Sequence, residues 1–197
     1  MLKIDTPHGP ARAEVEHAAK AAAALVLGHG AGGGVGAPDL QAAKAAALAA
    51  GVTVVLVEQP YRVAGRRSPA PAAQLDAAWL AVLAALRRDD LNGLRLIAGG
   101  RSSGARVACR TAADAGAAAV LCLAFPVHPP GRPDRSRLSE LDAVTVPTLV
   151  VQGQRDPFGM PPPKPPLRAV TTVSGNHSLR ATAAVRDAVG AWLTELL

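Results

Sequence analysis

Aromatic residues are scarce in this 197-residue chain, which holds two Trp, two Phe and one Tyr. A protein that grips single strands of nucleic acid needs several such side chains as stacking platforms. The surplus of Lys and Arg over Asp and Glu, 21 against 15, therefore does not mark a nucleic-acid binder. The basic residues are mostly Arg, alongside abundant Ala, Gly and Pro, a set that GC-rich codons favour. Cysteine is nearly absent. Cys109 and Cys122 are too few for a disulfide framework and lack metal-ligand spacing, so they read as small buried hydrophobes. Neither a metal nor an organic cofactor is expected. Charged residues are also few, 18% against 49% hydrophobic, the reverse of a disordered composition. No apolar run approaches the roughly 18 residues of a membrane span. Residues 1–16 carry Pro, Gly and acids where a secretory leader needs an apolar stretch. These absences leave a soluble cytoplasmic protein that meets neither nucleic acid nor membrane. The length suits one domain, residues 1–197.

What is present is a repeated alternation. Short, nearly continuous apolar runs are predicted as strands at Ala24–Gly28, Val52–Val57, Leu94–Ala98, Ala119–Ala124, Pro147–Gln152 and Ala169–Val173. Runs of this kind are buried on both faces. Ala-rich helical stretches lie between them at Asp39–Ala50, Ala72–Arg88, Ser103–Ala115 and from about Leu179 to Leu196. Strand and helix in alternation imply crossover connections and a mostly parallel sheet with helices on both faces. Leu2–Asp5 and Ala11–His17 are predicted as edge strands around a His8-Gly9-Pro10 turn. Two Pro-rich loops, Val127–Leu141 and Pro157–Pro166, follow strands at the carboxyl edge, where open α/β sheets bind ligands.

The chemistry is carried by Gly100-Arg101-Ser102-Ser103-Gly104, a Gly-x-Ser-x-Gly string between a predicted strand and a predicted helix. A sharp strand-to-helix turn lifts the central side chain clear of the sheet above a helix N-terminus. The neighbours must be small because strand and helix nearly touch, and Gly100, Gly104 and Ala105 meet that need. A nucleophilic Ser also needs a base and an orienting acid, in the chain order nucleophile, acid, histidine. Downstream of Ser102, Asp156 directly follows a buried strand, and His177 lies between the last strand and the last helix. Ser102, Asp156 and His177 are thus each placed just past the carboxyl end of a different strand. The turn His29-Gly30-Ala31-Gly32-Gly33-Gly34 follows an early strand. Its Ala31 N–H and the Ser103 N–H are the expected oxyanion donors.

The stretches LVLGHGAGGG, EQPYRVAGRRSPAP, GGRSSGARVA, VQGQRDPFG and GNHSL, between Leu25 and Leu179, resemble the α/β-hydrolase superfamily. Within it they are similar to a small, lidless branch that includes dienelactone hydrolases and hydrolase-like domains known as scaffold subunits. The resemblance implies an eight-stranded sheet, no cap domain, and a triad of Ser102, Asp156 and His177. The implied activity is that of a serine hydrolase cleaving a small soluble ester or thioester.

Two other readings compete. A non-catalytic interaction module could be built on the same fold. Gly28, Gly30 and Gly33 also match a dinucleotide-binding fingerprint, with Glu58 ending the next strand. Against the latter, the helix is predicted to begin only near Pro38, too far on for glycines that should open it. Arg62, Arg66 and Arg67 follow a strand toward the active edge, and Arg101 adjoins Ser102. They are candidates to hold a substrate carboxylate or phosphate. The competing role for them is a solvated loop or ion pairs with neighbouring acids.

Overall fold

The structure, a computed structural model describing all 197 residues, is built on one eight-stranded sheet. In chain order the strands are β1 (Leu2–Thr6), β2 (Gly9–Glu16), β3 (Ala23–Gly28), β4 (Thr53–Glu58), β5 (Arg95–Arg101), β6 (Ala119–Leu123), β7 (Thr148–Gly153) and β8 (Arg168–Val173). The helices are α1 (Pro38–Ala49), α2 (Pro60–Val63), α3 (Ala72–Arg88), α4 (Ser103–Thr111), α5 (Leu138–Asp142) and α6 (Thr182–Leu196). The spatial order is β1-β2-β4-β3-β5-β6-β7-β8, and every pairing is parallel except those of β2. The expected α/β class, with a mostly parallel sheet and helices on both faces, is what forms.

Alternation along the strands divides the core in two. Ala24 and Val26 of β3 face α3 and α4, together with Val55, Val57, Ala98, Val120 and Trp79. Leu25 and Leu27 face α1 and α6, with Leu40, Ala43, Val185 and Val189. Trp79 is fully buried and Trp192 packs at the edge of the second cluster.

Chain order reverses about β3, which lies between β4 and β5. The loops leaving β3 and β5 are therefore neighbours, although residues 29 and 101 are far apart in sequence. Such a switch point opens a crevice at the carboxyl ends of the strands.

Several boundaries differ from expectation. Thr6 pairs with Gly9 and Asp5 with Pro10, so the hairpin turns at Pro7-His8. The Thr6 hydroxyl donates to the Gly9 carbonyl across it. The last helix starts at Thr182 rather than Leu179, whose φ of 43° cannot continue a helix. α4 stops at Thr111 instead of Ala115. Helix α5 was unforeseen and is held from outside by α4. Arg106 forks onto Glu140, and Arg110 contacts both Glu140 and Asp76 of α3. Between β6 and β7, residues 124–147 hold only this five-residue helix, and no cap rises there over the carboxyl edge.

Candidate active site

Strand β5 runs into α4 with Ser102 alone between them, at φ 51° and ψ −107°. This is a sparsely populated conformation for a residue with a Cβ, costing about 1–3 kcal/mol, and surrounding contacts must hold it. The Ser102 N–H still donates to Leu123 of β6 at 2.9 Å, so the strand ladder grips the turn up to the serine. A Cβ on Gly100 would lie 2.6 Å from both the Gly28 carbonyl oxygen and the Gly104 carbonyl carbon. One on Gly104 would overlap the Gly28 carbonyl. The small residues of the motif thus let α4 rest on β3 backbone to backbone.

Ser102, His177 and Asp156 form one hydrogen-bonded line. Ser102 Oγ lies 2.9 Å from His177 Nε2, and His177 Nδ1 lies 2.8 Å from Asp156 Oδ2. A carboxylate accepts only, so Nδ1 carries the proton and Nε2 is left to accept from the serine hydroxyl. The Asp156 side chain is fully buried. Its Oδ2 also accepts from Gln152 Nε2 at 2.9 Å, and its Oδ1 from the Phe158 N–H at 2.9 Å. Gln152 Nε2 also lies near the carbonyls of Phe125 and Gly159, a ring of acceptors that fixes which way its amide points. Phe158 stacks on the imidazole, with centroids 4.0 Å apart and planes 28° apart. The three candidates, 75 and 21 residues apart along the chain, are brought together as their strand-end positions suggested.

The loop after β3 is braced from below. His29 Nδ1 donates to the Gly30 carbonyl at 2.8 Å, and Nε2 accepts the Gln59 N–H at 3.0 Å. Burial pushes the His29 pKa down, in keeping with a ring that must stay neutral to accept. The Gly33 N–H also donates to the Gly30 carbonyl. The peptide between Gly30 and Ala31 is planar and trans, so fixing that carbonyl aims the Ala31 N–H the opposite way. Tyr61 pins the next peptide, donating its hydroxyl to the Ala31 carbonyl at 2.9 Å. Burial raises the Tyr61 pKa, which keeps the phenol protonated. Ser103 opens α4, and its N–H has no acceptor within the helix. A Cβ on Gly30 would sit 3.6 Å from Ser102 Cβ, so the loop lies directly beside the serine. The glycines do not open α1, which begins only at Pro38. That is the wrong geometry for a dinucleotide fingerprint.

The arginines separate. Arg66 is exposed, and Arg62, half-buried on α2, reaches the Arg66 carbonyl at 3.4 Å. Arg62 Nε is buried with no hydrogen-bond partner. Arg101 turns inward instead. Its Nε donates to Asp39 Oδ2 at 2.8 Å and its Nη2 to the His177 carbonyl at 3.0 Å.

A sequence model of the family described as an alpha/beta hydrolase domain matches residues 21–184. The chain belongs to that family. No curated protein matches its sequence. Among solved structures, a serine hydrolase without a lid from Xanthomonas campestris is 21% identical with a TM-score of 0.72, covering 97% of this chain and 93% of that one. Est1E from Butyrivibrio proteoclasticus is 16% identical with a TM-score of 0.78, covering 99% and 98%. A dienelactone hydrolase from Anabaena variabilis is 18% identical with a TM-score of 0.74, covering 98% and 95%. The fold of this α/β-hydrolase is thus that of small lidless hydrolases.

Sequence reasoning missed Gln152 and Phe158, and although it offered an ion pair with a neighbouring acid as one role for Arg101, it did not name Asp39 as the partner. Phe158 follows Asp156 by two residues, but no local pattern says that its ring will meet an imidazole from another loop.

Proposed function

We propose that this α/β-hydrolase cleaves a small soluble ester or thioester through an acyl-enzyme on Ser102. The observation that carries the reading is the unbroken line from Ser102 Oγ through His177 to buried Asp156. As Ser102 Oγ attacks the carbonyl carbon, its proton passes to His177 Nε2. The resulting imidazolium is matched by the Asp156 carboxylate, which stays ionised and holds the ring by Nδ1. Charge gathering on the carbonyl oxygen meets the N–H groups of Ala31 and Ser103. Collapse of the tetrahedral intermediate breaks the bond to the leaving alcohol or thiol, which takes the proton from Nε2. A water then gives a proton to Nε2 and attacks the acyl carbon, and collapse of this second intermediate breaks the bond to Ser102 Oγ, which takes the proton back from Nε2 as the acid leaves.

A gap of about 10 Å³, room for no more than a water, lies under the loop after β3, lined by His29, Tyr61, Leu75, Trp79, Ser103 and Val107 among others. Est1E has been seen with ferulic acid bound, which supports a carboxylic acid as the product class. Arg62 and Arg66 stand on the segment that Tyr61 ties to the Ala31 loop, where they favour a substrate with negative charge.

The test is fluorophosphonate labelling and hydrolysis of short p-nitrophenyl esters and acyl thioesters, each with a neutral and a carboxylate-bearing member. Ser102→Ala should lose labelling and at least about 10³-fold in rate, while Ser103→Ala retains most of both. A wild-type protein that neither labels nor hydrolyses any member would identify a non-catalytic module on the hydrolase fold.

A further inference from the structure

The guanidinium of Arg101 joins four separate segments of the chain. Its own backbone ends β5 beside the nucleophile. Its Nε donates to Asp39 at the start of α1, and its Nη2 to the His177 carbonyl in the loop after β8. Its Nη1 fills the space beside Gly30, where a Cβ would fall 2.7 Å away. The Asp39 side chain is completely buried and that of Arg101 is 18% exposed. The second oxygen of Asp39 accepts the Leu40 N–H, so the carboxylate is itself held in place. Burial pushes the Asp39 pKa up and the guanidinium opposes that shift.

We propose that Arg101 is a positioning residue that sets His177 over Ser102 and seats the Gly30–Ala31 loop against the nucleophile, with Asp39 as its anchor. This rests on the hydrolase reading above. Asp156 and Phe158 hold the imidazole by one nitrogen and one face. Neither ties the backbone of the His177 loop to the strand that carries Ser102. Arg101 does. Its side chain grips the His177 carbonyl while the next residue, Ser102, meets the His177 ring. Nucleophile and base are therefore closed into a ring with two tethers, and the reacting atoms stay within attack distance. The fork geometry of guanidinium allows this, since Nε and Nη2 point at different partners, whereas an ammonium is a single point donor. With Asp39 as counter-charge, Arg101 is a brace and not a binding site for a substrate anion.

The experiment compares wild type with Arg101→Lys, Arg101→Met and the double variant Arg101→Met/Asp39→Leu. Arg101→Met leaves Asp39 as a buried charge without its partner and should lower Tm. The double variant removes both charges and should recover most of that loss. The kcat for a short neutral ester should nonetheless stay about 10–100-fold down in both, with KM within about threefold. The drop should be the same for the carboxylate-bearing ester, and Arg101→Lys should fall between. An ordinary structural ion pair predicts that kcat returns together with Tm in the double variant, which would overturn the proposal. A loss confined to KM for the anionic ester would overturn it in favour of a substrate contact.

A second readout does not need turnover. In ¹⁵N-histidine-labelled protein, the Nδ1 proton that His177 shares with Asp156 should exchange with solvent at least about tenfold faster in the double variant. Equal exchange would refute the positioning role. A wild type that shows the protected proton yet cleaves nothing would sink the hydrolase reading, and the exchange comparison would still decide the role of Arg101. A wild type without a protected proton would overturn both.

Discussion

Replacing Gly104 by Ala adds one methyl group where α4 meets β3. Its Cβ would overlap the Gly28 carbonyl and lie 2.9 Å from the His29 carbonyl oxygen, where ordinary contact begins near 3.4 Å. All of these neighbours are backbone, so no rotamer change relieves the clash. The helix must retreat by about 1 Å to bring the closest of these contacts to an ordinary distance, and such overpacking costs about 3 kcal/mol. For a chain of this length that lowers Tm by roughly 6–12 °C. The same retreat carries the Ser103 N–H and Ser102 Oγ away from the Gly30–Ala31 loop, and a misplacement of up to 1 Å costs up to about 10²-fold in kcat. The control is Gly33→Ala, whose added Cβ meets nothing within 4 Å, and which should match wild type in both measurements. Differential scanning fluorimetry and initial rates on a short p-nitrophenyl ester supply the two numbers. Wild-type Tm and kcat in Gly104→Ala would refute the argument that backbone contact builds this elbow. So would an equal loss in Gly33→Ala.

Phe158→Ala removes the ring stacked on His177 and should lower kcat about 3–10-fold with little change in KM, since aromatic stacking contributes about 0.5–1.5 kcal/mol. An unchanged kcat would show the stack to be incidental. His29 has its pKa lowered by burial, so below about pH 6.5 the unfolded chain binds a proton that the folded chain refuses. Stability should therefore fall as pH drops through that range and be unaffected by His29 above it. His29→Gln should flatten this limb in urea melts at pH 5.5 and 7.5, and the same pH dependence in both proteins would count against a buried neutral ring.

The buried strands and the Gly-x-Ser-x-Gly string were legible in the sequence because their signals are local. An apolar run with no polar face must be buried on both sides, and glycines on either side of a serine between strand and helix allow the close backbone approach that a sharp turn needs. Chain order then placed Asp156 and His177 at strand ends, since parallel crossovers bring every carboxyl end to one edge. The α/β class, the sheet and the candidate triad all followed from signals of that kind.

Other features depend on groups that meet only after the sheet has formed. Whether β3 sits beside β5 is a matter of strand order, and that adjacency brings the Gly30 loop to Ser102. The five residues of α5 are too short to show a period, and the arginines of α4 place them. For Arg101, beside the nucleophile, the sequence left two roles open, a substrate anion's partner or an ion pair with a neighbouring acid. Its partners lie 62 and 76 residues away, and burial of Asp39 turned the charge inward. Local sequence dictates which conformations a segment prefers, whereas the environment of a charged group is set by whatever chain is folded against it, and that only the tertiary structure decides.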